Sequence, residues 1–243
     1  MFLPETASEK LIFALDVDAL AKATPFIEGL SPYVGCFKIG LELMNAVGTP
    51  QSVQHVLRHG GQVFADCKLN DIPNTVRGAS RVIAATGVKY FNVHASAGIE
   101  SVKAAAEEKG SAKLLVVTVL TSLDDLASQT IFGKTAREKV LDFAKIAVDA
   151  GADGLICSSQ ELEFLGQNPE FKTLLKVTPG IRPSWAQSDD QKRTMTPKEA
   201  IQAGATHLVV GRPISSPPRG IGSPIDAAKA ILEEVNACLS PST

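Results

Sequence analysis

Short runs dense in Val, Ile, Leu and Phe recur along the chain, separated by polar stretches long enough to hold a helix. The runs are LIFALD (11–16), CFKIG (36–40), QVFADCKL (62–69), YFNVHAS (90–96), LLVVTVL (114–120), GLICSS (154–159), LKVTPGI (175–181) and HLVVGRPI (207–214). Each is nearly continuous in apolar residues rather than alternating, as a parallel strand covered on both faces requires. Their starts lie 25, 26, 28, 24, 40, 21 and 32 residues apart. Every interval has room for one crossover helix, and the longest, after the fifth run, for an extra loop or short helix as well.

The intervening segments carry helix signals. Thr135 and Glu138 form a capping box, after which Val140, Phe143, Ala144 and Ala147 mark one apolar face until Gly151 ends the helix. Thr196, Pro197 and Glu199 supply an N-cap, a proline at the first helical position and a box partner. A last amphipathic helix is predicted from Ile225 through Ala228, Ile231, Leu232 and Val235. Strand and helix pairs in this number fit a closed (β/α)8 TIM barrel better than a doubly wound sheet, whose first turn would be glycine-rich; here DVDALAK follows the first run instead. No low-complexity linker divides the chain, so residues 1–243 are expected to form a single α/β barrel domain.

Composition narrows the setting. With 44% hydrophobic and 21% charged residues and a formal net charge of -2, the chain is too apolar for disorder. It has no run of Lys and Arg, so no nucleic acid polymer is expected as a partner. No apolar stretch reaches the roughly 18–20 residues that span a bilayer, and the start MFLPETASEK lacks the pattern of an export signal. A cytoplasmic location away from membranes is expected. Cys36, Cys67, Cys157 and Cys238 have no metal-type spacing and read as reduced thiols.

In such a barrel the chemistry sits at the carboxyl ends of the strands, which makes charges inside apolar runs informative. Asp16 ends the first run, Lys38 lies in the second, Asp66 and Lys68 lie in the third and Asp71 follows it; Arg182 follows the seventh and Arg212 the eighth. Asp66 and Lys68, two residues apart, are predicted to share the inner face of their strand while Cys67 points out toward the helices. Charges facing a barrel interior are costly to desolvate and persist when paired or functional; a purely structural ion pair is the competing reading. Gly211 and Arg212 suit a phosphate, with Gln191 in the loop after the seventh strand as a further donor. His55 and His59, at i, i+4 spacing but without a third ligand, read as a surface pair. His94 reads as a hydrogen-bonded core residue or a neighbour of the site, and His207 as structural. Trp185 either packs over the site or faces solvent.

The segment FADCKLNDIPNT (64–75) resembles the D-x-K-x-x-D-I-P-N-T motif of the orotidine 5'-phosphate decarboxylases. Further segments agree in order: FALD (13–16), FKIG (37–40), NVHAS (92–96), VTVLTS (117–122), VTPGIRP (177–183), DQKRTMTP (190–197) and VVGRPI (209–214). The resemblance implies conversion of orotidine 5'-monophosphate (OMP) to UMP and CO2, with Lys68 as proton donor to C6 of the pyrimidine and Asp66 beside the substrate carboxylate. It implies a homodimer in which Asp71 and Thr75 reach the partner's site. Asp16 and Lys38 would hold the ribose hydroxyls, Thr121 and Ser122 the pyrimidine, and Arg182, Gln191, Gly211 and Arg212 the phosphate, with 183–195 as a closing lid. No metal and no organic cofactor are implied. Cys67 stands where a larger aliphatic residue is common, and SSPPRGIGSP (215–224), with its extra Arg219, is unusually rich in Pro and Gly. Two alternatives remain at this point: a magnesium-dependent ketose-phosphate lyase with the same D-x-K-x-x-D core, and a non-catalytic nucleotide-binding barrel.

Overall fold

The computed structural model describes residues 6–186 and 194–239. Its eight strands are β1 (Leu11–Leu15), β2 (Cys36–Ile39), β3 (Val63–Leu69), β4 (Tyr90–His94), β5 (Lys113–Val117), β6 (Gly154–Ile156), β7 (Leu175–Thr178) and β8 (His207–Val210). They pair in parallel in chain order, and β8 closes onto β1 through Leu11↔Leu208, Ile12↔Val209 and Phe13↔Val210. The fold is the (β/α)8 TIM barrel that the spacing of apolar runs predicts.

The unbroken apolar character of the runs follows from their two buried faces. Ile12, Ala14, Cys36, Phe64, Tyr90, Leu115, Leu175, Val177 and Val209 fill the barrel interior. Their neighbours Leu11, Phe13, Phe37, Ile39, Val63, Phe91 and Leu208 face the helices and join the larger outer core. Complete burial of such side chains stabilises by about 1.5–3 kcal/mol each, so a polar residue inside a run is conspicuous. Gly154 opens β6 because a Cβ there would lie 2.6 Å from Leu175 Cβ and 2.7 Å from its carbonyl oxygen.

The helix signals match the structure closely. Thr135 Oγ1 accepts from the Glu138 N–H while Glu138 Oε2 accepts from the Thr135 N–H, opening a helix over Ala136–Asp149. Val140, Phe143, Ala144 and Ala147 are its buried face, and Gly151 follows at φ 73°. Thr196 and Glu199 make the same reciprocal pair ahead of Pro197–Gln202. The last helix, Pro224–Leu239, buries Ala227, Ala228, Ile231 and Val235; Ile225 and Leu232 flank that face half-buried. The long interval after β5 holds the additional helix Asp125–Phe132.

Two expectations are corrected. The β2–β3 crossover contains two helices, Leu41–Val47 and Thr49–Arg58, because Gly48 at φ 85° breaks the segment between them. Several strands end before their apolar runs do. β5 stops at Val117 and β7 at Thr178, where Pro179 has no N–H to give a ladder. The apolar residues beyond these points line the barrel mouth rather than extending the sheet.

The opposite end of the barrel is closed by a polar knot. Tyr90 Oη lies 3.1 Å from His207 Nε2, and Thr206 Oγ1 lies 3.0 Å from Nδ1. Phe64 packs edge-on against the Tyr90 ring. Burial, aided by the positive charges of Lys89 and Lys10, pushes the His207 pKa down to about 3. His207 is therefore a neutral structural residue, as its place at the start of a strand suggests.

Candidate active site

Four charged side chains meet where β1, β2 and β3 reach the barrel mouth. Lys38 Nζ lies 3.2 Å from Asp16 Oδ1 and 3.4 Å from Asp66 Oδ2, and Lys68 Nζ lies 2.5 Å from Asp66 Oδ1. The order Asp16, Lys38, Asp66, Lys68 alternates in sign across three neighbouring strands. Gly40 keeps the space beside it open: a Cβ there would lie 3.4 Å from both Asp16 Oδ1 and Lys38 Nζ. At Gly211 an added Cβ would come within 3.4 Å of Ala14 Cβ and 3.9 Å of Asp16 Oδ2.

Asp66 and Lys68 do meet, but not through regular pleating. Ala65 pairs with Phe91 and Leu69 with Val93, four steps along β3 against two along β4, so β3 carries two extra residues at this point. Lys68 sits inside this bulge at φ 49°, the only positive φ of a non-glycine among the described residues. Such a conformation costs of order 1–3 kcal/mol and is held by its surroundings. Here the Lys68 N–H donates to Asn92 Oδ1 at 2.7 Å. Cys67 turns outward against the outer core, as expected, yet its thiol donates to the Asn92 carbonyl at 3.6 Å, so it is in contact with the bulge.

Asn92 is the residue that sequence reasoning missed. It is fully buried, and its Nδ2 donates to Asp66 Oδ1 at 2.6 Å. The available signal was an amide in the middle of the apolar run YFNVHAS. Burial alone would push the Asp66 carboxyl up, but the charges of Lys38 and Lys68 and the hydrogen bonds from Lys68 and Asn92 outweigh it and hold the group below its ordinary range. His94 is half-buried; burial first, then the Lys68 charge, lowers its pKa, so its imidazole is neutral beside the site.

Lys38, Asp66 and Lys68, but not Asp16, form one side of a cavity of about 240 Å³. Lys38, Asp66 and Lys68 supply its charged wall; Phe64, Val117, Ile156 and Val209 supply an apolar one, and Thr121, Ser158 and Pro179 lie on its border. Charges fixed against an apolar wall act more strongly than in water and need no reorganisation as a reaction proceeds. The arrangement can hold a flat polar ring, press a carboxylate against ligand of like charge and present an ammonium to a nearby atom.

The remaining predicted residues are dispersed around the rim. Thr121 borders the cavity, whereas Ser122 is exposed beside it and is not in the lining. Asp71 through Thr75 form a continuous exposed stretch, with Ile72 66% exposed and Asp71 Oδ1 accepting from the Ile72 N–H. Arg182 is buried, donates through Nη1 to the Ile181 carbonyl at 3.1 Å and is not among the residues lining the cavity. Arg212 is exposed at the start of the short helix Arg212–Ser215. Gln191 and residues 187–193 of the expected lid lie outside the described residues; the ends of that loop meet where Ile181 pairs with Met195. Trp185 is half-buried against the outer core. His55 bonds to Thr24 Oγ1 at 2.9 Å and its ring lies tilted against that of His59, and neither lines the cavity.

Comparison with known proteins agrees with the motif order. Residues 9–229 match the model of the orotidine 5'-phosphate decarboxylase / HUMPS family. A Moorella thermoacetica protein named orotidine 5'-phosphate decarboxylase is 43% identical over 242 residues, covering 94% of this chain and 93% of its own. A Geotalea uraniireducens protein of the same name is 42% identical over 243 residues, covering 96% and 98%. Among solved structures, orotidine 5'-phosphate decarboxylase from Lactobacillus acidophilus superposes with a TM-score of 0.79 at 34% identity, covering 93% of this chain and 98% of that one. Barrels are shared by unrelated enzymes, but identity at this level over nearly whole chains goes beyond a common scaffold, and the chain belongs to the orotidine 5'-phosphate decarboxylase / HUMPS family.

Proposed function

We propose that this protein is a carboxy-lyase that converts OMP to UMP and CO2 in pyrimidine nucleotide synthesis. The observation that carries the reading is the Asp16, Lys38, Asp66, Lys68 array at the mouth of an apolar cavity, in a chain whose relatives bear that enzyme's name. Breaking the bond between C6 and the carboxylate leaves its electron pair on C6, where no adjacent carbonyl can delocalise it. An ammonium must be in place before the bond breaks and must deliver its proton as it does. Lys68 fills both roles: a proton passes from Nζ to C6, CO2 departs, and the amine regains a proton from solvent. Asp66, kept ionised, stands beside the substrate carboxylate and loses an unfavourable neighbour when neutral CO2 forms.

Asp16 and Lys38 hold the ribose hydroxyls, and Thr121 with Ser122 addresses the pyrimidine. Arg182, Gln191, Gly211 and Arg212 surround the phosphate. No metal or organic cofactor takes part. The chain works as one barrel domain in the cytoplasm and pairs as a homodimer, with the exposed stretch Asp71–Thr75 reaching into the partner's cavity.

The test is the fall in ultraviolet absorbance of OMP on adding purified protein, with and without EDTA. Turnover at equal rates in both supports the reading. Turnover lost in EDTA would overturn the metal-free mechanism, UMP binding without turnover favours a nucleotide-binding barrel, and neither turnover nor binding returns the magnesium-dependent ketose-phosphate lyases to first place. The dimer is tested by mixing Lys68→Ala and Asp71→Asn chains, each inactive alone. Random pairing gives mixed dimers with one intact site, so about a quarter of wild-type activity should return. No recovery after verified subunit exchange would remove Asp71 from the partner's site.

A further inference from the structure

The geometry points to Asn92 as the positioning residue that locks Lys68 and Asp66 into one reactive unit, acting through both ends of its carboxamide. This deepens the decarboxylase reading and rests on it for the kinetic part of its test. The bulge in β3 removes the regular ladder contact at Lys68, and Asn92 Oδ1 replaces it by accepting the Lys68 N–H at 2.7 Å. The same amide donates through Nδ2 to Asp66 Oδ1 at 2.6 Å, the oxygen that also receives Lys68 Nζ. One planar group therefore fixes the backbone of the cation and the carboxylate that faces it. No part of Asn92 is exposed to solvent, so water cannot take over either bond. The left-handed backbone at Lys68 needs such a clamp, since a side chain on a relaxed strand would carry Nζ to a different height in the cavity.

The two ends of the amide are separable by substitution. Asn92→Leu fills similar space and removes both bonds. Asn92→Asp retains an acceptor for the Lys68 N–H but sets a carboxyl group against Asp66; two carboxylates at that distance share a proton with a raised pKa. In a folded Asn92→Leu protein, verified by its unfolding transition, kcat is expected to fall on the order of 100-fold, the effect of a misplacement of about 1 Å, with KM changed less than about threefold. For Asn92→Asp, kcat is expected to fall as rising pH removes the shared proton and to recover on acidification, a limb that the wild type lacks. A loss confined to KM, or an Asn92→Asp profile parallel to the wild type, overturns the proposal.

Turnover by the wild type is the control on the decarboxylase reading itself. If that control fails, a crystal structure of Asn92→Leu still decides the positioning role. Lys68 leaving its positive φ, or Asp66 rotating off Lys68 Nζ, supports it; an unmoved pair overturns it whatever reaction the site performs.

Discussion

Lys68→Ala is expected to abolish decarboxylation of OMP and to leave the barrel folded. On the proposed reading the substitution removes the proton donor and the cation facing the developing carbanion together. General acid catalysis contributes about 10²–10⁴-fold and one electrostatic donor about 10²–10³-fold, so kcat should drop by at least about 10⁴. The fold survives because Asp66 is not orphaned: Lys38 remains 3.4 Å from Oδ2 and Asn92 2.6 Å from Oδ1. Alanine keeps the Cβ of lysine, so the cost of the left-handed backbone is little changed. Single-turnover absorbance traces and thermal unfolding check the two parts of this expectation, and retained UMP affinity shows that the cavity is intact. Substantial residual turnover would take Lys68 out of the proton-donor role, and a collapsed unfolding transition would make it a structural residue.

Acidification from pH 7 destabilises the protein chiefly through His207. Its ordinary pKa is 6.5 and its pKa in the folded barrel is about 3. Below pH 6.5 the unfolded chain takes up a proton that the folded chain refuses until about pH 3, so the stabilisation is complete above 6.5 and is lost as the pH falls through that window. Each pH unit inside it is worth about 1.4 kcal/mol, and the whole span about 5 kcal/mol. His207→Gln keeps a donor and an acceptor for Tyr90 and Thr206 but does not titrate. Urea unfolding at pH 7 and pH 4.5 should find the wild type losing about 2–3 kcal/mol more than the variant. Equal losses in the two proteins would mean that His207 is not the titrating group. Asp66 adds a separate decline at lower pH: its carboxyl is held below the ordinary value near 3.9, so its contribution is present above that value and lost as pH falls through the folded pKa.

The strands were readable because a barrel buries both faces of each one, which writes an apolar run into the chain wherever a strand must be. Asp66, Lys68 and Lys38 were readable for the converse reason: a charge inside such a run needs a cause. Nothing in the letters marks the bulge at Lys68, since neither Gly, Asn nor Pro occupies the left-handed position and the conformation is imposed by Asn92 from the next strand. Asn92 was visible as an oddity in its own run, but its partners lie 24 and 26 residues away, and pairing over that distance is a property of register rather than of pattern. The extra helix before β3 turns on Gly48 alone, a residue equally consistent with a loop. The burial of Arg182 depends on where its own backbone passes, which motif order does not specify.

The packed interior beneath the array, with Ile12, Phe64 and Leu115 above the knot of Tyr90 and His207, closes the cavity from below among the described residues. On the proposed reading whatever enters and whatever leaves pass through the mouth. On that reading the amine of Lys68 is recharged only through the mouth, so UMP standing in it delays the return of the proton. Product clearance and the resetting of the acid then become one event, and a chase in heavy water would find label reaching the next substrate molecule only after the previous product has gone.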